Sequence, residues 1–316
     1  MKAVAVNQFK SVPQFVELPE PAVKDGTIRI RLAAAGLNPF DWKLVDGILE
    51  NTMPHVFPLI LGVDGAGVVD AVGAGVKRFK PGDRIFGQMI HPPIGEGSYA
   101  EFVTVPESAA IAEAPHSIPL TEAAALPTAG MTALQLLDRS GLAEGQTLLL
   151  IGATGGVGAF ILQMAKARGI HVVATVSGDE AAERVRQLGA TETINYKSAP
   201  VEDQFAGGAD ALIDLVSPKS GFDKMLPLVK KGGHVYTTQF VADKEHLHEL
   251  GLKGGNFETK GSPASLDALR DLVDNGRLTM PVDRKLPLEQ APQAIADSRA
   301  SRSKGKTILV IDDSLD

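Results

Sequence analysis

Between Gly152 and Gly158 the chain reads GATGGVG, a spacing of glycines that lets a main chain come up against a phosphate. Gly155 and Gly156 put no Cβ between the backbone and an incoming pyrophosphate, and Gly158 lets the next helix pack closely on its strand. The first amides of such a helix, with the positive end of its dipole, form an anion site that needs no basic side chain. Gly152, Ala153, Thr154, Gly155, Gly156, Val157 and Gly158 are therefore the expected cofactor-binding turn. The first glycine of the usual G-x-G-x-x-G pattern is Ala153 here, so the flanking elements must support the reading. They do. Leu148 to Ile151 form a continuous apolar run, as in a strand buried on both faces of a parallel sheet, and Phe160, Ile161, Met164 and Ala165 share one helical face. His171 to Val176 supplies the second strand of a β-α-β unit.

The end of that second strand bears on the choice of coenzyme. In NAD-specific sites an acidic residue there takes the ribose hydroxyls, about twenty residues beyond the glycines. This strand ends in Val176-Ser177-Gly178. A small hydroxyl and a glycine leave room for a 2′-phosphate and do not repel it. Asp179 and Glu180 follow at once, either as ribose ligands or as first-turn acids favoured by the helix dipole. NADPH is the expected cofactor, ahead of NADH.

Other chemistries are poorly provided for. The chain has no cysteine, which removes disulfides, thiolate catalysis and cysteine-ligated zinc together. None of the seven histidines forms H-E-x-x-H, and His246 and His248 sit two apart in a polar stretch that reads as surface. Net charge is −7 without a basic cluster, which argues against nucleic-acid or anionic-membrane partners. Met1 to Val6 is too short an apolar run for a signal peptide, and no run approaches transmembrane length, so the expected location is the cytoplasm.

The elements that must position the glycine turn follow from pattern. A length of 316 residues favours two domains. From Met1 to about Pro119, short strands at Thr27–Ala33, Ala66–Val72, Asp83–Phe86 and Ala100–Val105 alternate with turns such as Asp25-Gly26 and Pro81-Gly82-Asp83. From Thr121 onward helices alternate with strands, which implies a doubly wound parallel sheet. Helices at Ser265–Gly276 and Leu288–Ser298 precede a last strand, Thr307–Ile311, expected to rejoin the first domain.

These segments together resemble the zinc-independent quinone oxidoreductase branch of the medium-chain dehydrogenase/reductase superfamily over nearly the whole chain. The matching pieces are Gly36 to Lys43 (GLNPFDWK), Pro58 to Val69 (PLILGVDGAGVV), Phe79 to Arg84 (FKPGDR), Gly97 to Phe102 (GSYAEF) and Ala124 to Ala133 (AALPTAGMTA). The glycine turn and Leu188-Gly189-Ala190 with Ile194-Asn195-Tyr196 complete the set. The resemblance implies an α/β protein: a β-rich GroES-like catalytic domain at residues 1–121, completed by 266–316, and a Rossmann domain at 122–265. It also implies an active site in the cleft between them and a homodimer formed through sheet edges, with His234–Thr238 as the edge strand.

Where the zinc-dependent relatives carry a cysteine ligand this chain has Asn38, and in place of their His-Glu pair it has Val63-Asp64. Neither thiolate nor imidazole is offered, so no zinc is expected. By resemblance, Tyr196 and Ser177 lie beside the 2′-phosphate, and Thr128 and Thr132 lie near the phosphate or nicotinamide unless they serve as helix caps. The lysine many relatives use for the 2′-phosphate is absent, with Ala181 near its place. Arg184, Arg302 and Lys304 are the substitutes to consider.

Quinones and α,β-unsaturated carbonyls accept hydride without a metal, and a hydrogen-bond donor at the oxygen that gains charge lowers the barrier. Asn38 and Lys43 are the polar candidates, although Asn38 before Pro39 also suits a turn and Lys43 a solvated surface. Trp42 is either core packing or a pocket wall. Asp64 either pairs with a basic group or makes a buried hydrogen bond. The expected function is an NADPH-dependent quinone reductase. The alternatives are a reductase of enones and enals, or a cofactor-binding structural or regulatory protein with little turnover.

Overall fold

The computed structural model describes residues 1–302 and 305–316. The chain begins with β1 (Lys2–Val6), β2 (Gln14–Glu17), β3 (Thr27–Gly36), α1 (Pro39–Val45), β4 (Leu59–Ile60), β5 (Asp64–Val72), β6 (Arg84–Gln88), β7 (Phe102–Pro106) and β8 (Ile111–Glu113). It continues through α2 (Leu120–Ala123), α3 (Pro127–Ser140), β9 (Thr147–Ile151), α4 (Gly156–Ala167), β10 (His171–Val176), α5 (Asp179–Leu188), β11 (Glu192–Asn195) and α6 (Val201–Gln204). The remainder is β12 (Ala209–Asp214), α7 (Lys219–Met225), β13 (Val229–Thr237), α8 (Lys244–Glu249), β14 (Lys253–Asn256), α9 (Pro263–Asp274), β15 (Val282–Pro287), α10 (Ala291–Arg299) and β16 (Lys306–Val310).

Two compact units result, Met1–Met131 with Gly261–Asp316, and Thr132–Lys260. The first division falls inside α3, beyond the 121/122 boundary drawn from sequence, because α2 packs on β3 and β5 of the first unit. The second falls at Lys260/Gly261 instead of 265/266.

In the first unit β3 shows why a strand forms and which face it buries. Ile28, Ile30 and Leu32 are buried while Arg29 and Arg31 point the other way, the period of two that half-buried strands require. Its sheet runs β15-β16-β3-β5-β6-β8, with β7 also on β3, and a second sheet runs β2-β1-β4. The terminal strand β16 lies antiparallel to β3 with Ile308 opposite Gly36, so the tail does complete the N-terminal unit. Ile28, Ile30, Leu32, Val69, Ile85 and Val103 form one of its cores.

The second unit is a parallel sheet in the order β11-β10-β9-β12-β13-β14. Chain order reverses between β9 and β12, and a crevice outside the strands' carboxyl ends at such a switch point is where α/β sheets take ligands. Leu148, Leu149 and Leu150 are wholly buried, as a central strand covered on both faces must be. The edge strand differs from expectation. His234–Thr238 largely coincides with the end of β13, one place inside, and the outermost strand is β14. Its Lys-Gly-Gly-Asn sequence has no strand signal to read. No described helix is long and apolar enough to cross a membrane.

Candidate active site

The glycine turn sits at the carboxyl end of β9, at the switch point. Gly152 takes φ of 89°, a left-handed conformation that favours glycine. Gly155 caps α4 in an extended conformation, and the Ala159 N–H donating to Gly155 O at 2.9 Å begins the helical ladder. The amides of Gly156, Val157 and Gly158 therefore belong to the first turn, where a helix leaves its donors for an anion. The glycines have separate duties. A Cβ on Gly158 would stand 2.5 Å from Gly152 O and 2.7 Å from Ala153 Cα, whereas one on Gly155 would meet only Gly152 O at 3.5 Å. Gly158 thus closes the helix onto its turn, and Gly155 keeps the approach open. The cradle fits a dinucleotide diphosphate. Ala153 is buried and Thr154 half-buried, with the Thr154 carbonyl accepting from Arg184 Nη2 at 3.1 Å.

Next to this turn, Ser177 follows β10 and Tyr196 follows β11. The strands pair through Val176 and Asn195, and the Tyr196 N–H donates to Val176 O at 3.1 Å. The two predicted 2′-phosphate contacts are thereby brought side by side, both exposed. Gly178 has φ of 155°, and a Cβ placed on it would meet no atom within 4 Å. Asp179 and Glu180 occupy the first turn of α5, where the dipole favours acids. Arg184, on that helix, reaches the glycine turn. Arg302 instead lies 3.7 Å from Asp297 in the first unit, and Lys304 is outside the described residues.

In the second unit, Thr132 Oγ1 shares a 2.5 Å hydrogen bond with Thr259 Oγ1. His246 and His248 lie on the short surface helix α8.

The first unit holds a buried polar network that sequence inspection did not assemble. Lys306, first residue of β16, donates to Asn38 Oδ1 at 2.8 Å and Leu37 O at 3.0 Å, and its Nζ is 4.0 Å from Asp64 Oδ2. Asn38 Nδ2 donates to Asp64 Oδ2 at 2.9 Å and to Gly36 O at 3.2 Å. Asp64 also accepts from the Thr128 N–H at 3.0 Å and hydroxyl at 2.6 Å, and so caps α3, while Gln88 Nε2 donates to Thr128 Oγ1 at 2.8 Å. Burial raises the Asp64 carboxyl above the ordinary range against the pull of Lys306, and burial lowers the Lys306 ammonium.

A second carboxylate fixes the loop itself. Asp41, three residues past Asn38, accepts from the Asn38 N–H at 2.7 Å, the Val63 N–H at 3.2 Å and the Tyr99 hydroxyl at 2.7 Å. Burial pushes its carboxyl up to about 6, with the Tyr99 and Asn38 bonds opposing. The Asn38-x-x-Asp41 spacing at the start of a helix is the sequence signal that could have revealed this tie. Tyr99 and Lys306, 58 and 268 residues from their partners, gave none.

This geometry corrects the expectation for Asn38. Both its amide hydrogens are committed, and the orientation is fixed because a carboxylate must receive N–H and an ammonium must find oxygen. Asn38 is an anchor, with no hydrogen left for an acceptor's oxygen. Lys43 lies apart from the network, half-buried, with its Nζ 5.6 Å from the Trp42 ring centre and in no side-chain hydrogen bond among the described residues. Trp42 also carries Arg299 over its ring at 5.5 Å. The zinc positions do not fit that metal, since Asn38 and Asp64 are held by an ammonium and Val63 offers no donor.

The alcohol dehydrogenase GroES-like domain model matches residues 24–116, and the zinc-binding dehydrogenase model matches residues 188–309. The two halves together define the architecture of the medium-chain dehydrogenases and reductases. The chloroplast envelope quinone oxidoreductase homolog of Arabidopsis thaliana is 32% identical, over 94% of this chain and 93% of its own length. The 2-methylene-furan-3-one reductase of Solanum lycopersicum is 30% identical, over 92% of this chain and 73% of its own. The solved structure of the quinone oxidoreductase from Coxiella burnetii superposes with a TM-score of 0.87 at 28% identity, covering 98% of this chain and 99% of that one. The chain belongs to the quinone oxidoreductase branch of the medium-chain dehydrogenase/reductase superfamily.

Proposed function

We propose that the protein is an NADPH-dependent, zinc-independent reductase of quinones. The observation that carries the reading is the arrangement along one end of the parallel sheet: a glycine turn at β9, then exposed Ser177 and Tyr196 at the ends of β10 and β11, with no acid at the end of β10. When bound, NADPH supplies hydride, and with a proton and a quinone it gives NADP⁺ and the hydroquinone. The chain's own part is to bind and orient. First-turn amides of α4 hold the diphosphate, and Ser177, Gly178 and Tyr196 admit the 2′-phosphate. Asn38, Asp64 and Lys306 fix the loop before α1 and the start of α3, and Lys43 is the proposed donor toward the acceptor's oxygen.

Enones and enals form a second acceptor class, supported by the similarity to the tomato 2-methylene-furan-3-one reductase. The reading extends to a cytoplasmic homodimer paired along β14, the outermost strand of its sheet.

Steady-state NADPH oxidation against 1,4-benzoquinone, 9,10-phenanthrenequinone and 2-hexenal, with and without a chelator, tests this reading. Turnover of a quinone that is indifferent to chelation is expected. Tight NADPH binding without turnover of any acceptor would return the protein to a structural or regulatory role, and loss of activity on chelation would restore zinc.

A further inference from the structure

Phe240, in the turn after β13, has φ of 58° and is 60% exposed. A bulky L residue in the left-handed region is an outlier, and a ring this exposed does not repay the strain by burial. Strained residues of this sort cluster at active sites and ligand clamps.

The surrounding turn holds it there. The Thr238 N–H donates to Asp214 O at 3.3 Å, Gln239 Nε2 to Leu215 O at 2.6 Å, and the Gln239 N–H to Thr237 Oγ1 at 3.1 Å. The residues before Phe240 are thus stitched onto the loop after β12. That loop is itself gathered by buried Asp214, whose Oδ1 accepts from the N–H groups of Val216 at 3.0 Å and Ser217 at 2.8 Å. Val216 is also 60% exposed, and its Cγ1 lies 3.0 Å from where a Cβ on Gly152 would sit.

Two large apolar side chains therefore stand in water at the carboxyl ends of neighbouring strands, β12 and β13. The nearer touches the glycine turn, and the farther is the strained one. An anion cradle with an apolar flank suits a ligand whose charged end is bound first and whose flat, conjugated partner arrives second. Aromatic rings favour such partners through offset stacking.

We propose that Phe240 is an acceptor-specificity residue whose ring, held outward by its left-handed backbone, stacks on a planar quinoid acceptor. The assignment rests on the reductase reading above. Binding of 9,10-phenanthrenequinone in the presence of NADP⁺, where no hydride is available, tests it apart from turnover. Phe240→Leu should raise the quinone Kd about tenfold, the worth of one stacking pair with its buried area, and leave the NADP⁺ Kd within about twofold. Phe240→Asn should weaken the quinone likewise while raising Tm, because asparagine tolerates the left-handed region.

An unchanged quinone Kd with NADP⁺ binding intact overturns the assignment alone. So does an NADP⁺ Kd that moves as far as the quinone's, a Tm that does not rise in Phe240→Asn, or failure of the wild type to bind the quinone. A wild type that binds no NADP⁺ overturns the reductase reading as well.

Discussion

Lys306 Nζ and Asp64 Oδ2 face each other at 4.0 Å with 4% and 0% of their side chains exposed, an ammonium and a carboxylate held away from water. Neither could stay charged there alone, since removing one partner of a buried pair strands the other. Lys306→Met should destabilise the protein by about 3–5 kcal/mol. Adding Asp64→Asn should recover part of that loss, because the stranded charge goes with it. Urea unfolding of the two variants reads both effects. A single variant as stable as wild type would mean the pair contributes nothing.

The glycine turn separates folding from binding at two positions only three residues apart. Gly158→Ala drives a Cβ against backbone at 2.5 Å, which the turn cannot absorb without moving. A loss of about 1–3 kcal/mol is expected, as for other overpacked sites. Gly155→Ala meets only ordinary contact at 3.5 Å, so its Tm should match wild type while its NADPH Kd rises through the lost approach. Thermal melts beside cofactor titrations decide the matter. Equal melting losses in both variants would erase the distinction.

How far such features could be read in advance depended on how local they are. The β9-turn-α4 unit is written in neighbouring residues, as is α5, whose bounds Asp179–Leu188 follow from its flanking glycines. The anchoring bonds of Asn38 are not legible in its neighbourhood, because their partners Lys306 and Asp64 lie 268 and 26 residues away. No periodicity encodes a pairing at that distance. The β14 edge was missed for the opposite reason. Its Lys-Gly-Gly-Asn stretch becomes a strand only because β13 already offers a ladder at His234 to Thr237, so tertiary context overrides local preference.

Asp41 gives the stability a dependence on pH with a definite sign. Its carboxyl, ordinarily near 3.8, is raised to about 6 by burial, so the folded protein keeps this proton where the unfolded chain has lost it. The resulting stabilisation is fully present below 3.8 and disappears as pH rises through about 6. Its size is about 3 kcal/mol. Asp41→Asn cannot titrate. Its unfolding free energy, subtracted from that of wild type at each pH, should leave a difference that falls between about pH 4 and 6 and is flat above. Parallel curves across that interval would show that Asp41 titrates no higher in the folded protein than in the unfolded chain.

Coenzyme choice should reverse at the end of β10. Ser177 is exposed beside Tyr196, and the Gly178 that follows leaves space next to it. A carboxylate at 177 would stand where the 2′-phosphate of NADPH is expected and would repel it, yet the same oxygens could accept from the two ribose hydroxyls of NADH. Ser177→Asp should therefore weaken NADPH about tenfold or more and strengthen NADH, since like charges brought together cost at least about 1.4 kcal/mol when partly desolvated. Salt separates this from a packing effect. Repulsion at an exposed site is screened as ionic strength rises, so the NADPH penalty should shrink between 20 mM and 500 mM NaCl, roughly a fivefold fall in Debye length. A salt-independent penalty, or an equal loss for both coenzymes, would place the 2′-phosphate elsewhere and leave Ser177 and Tyr196 without the role assigned to them.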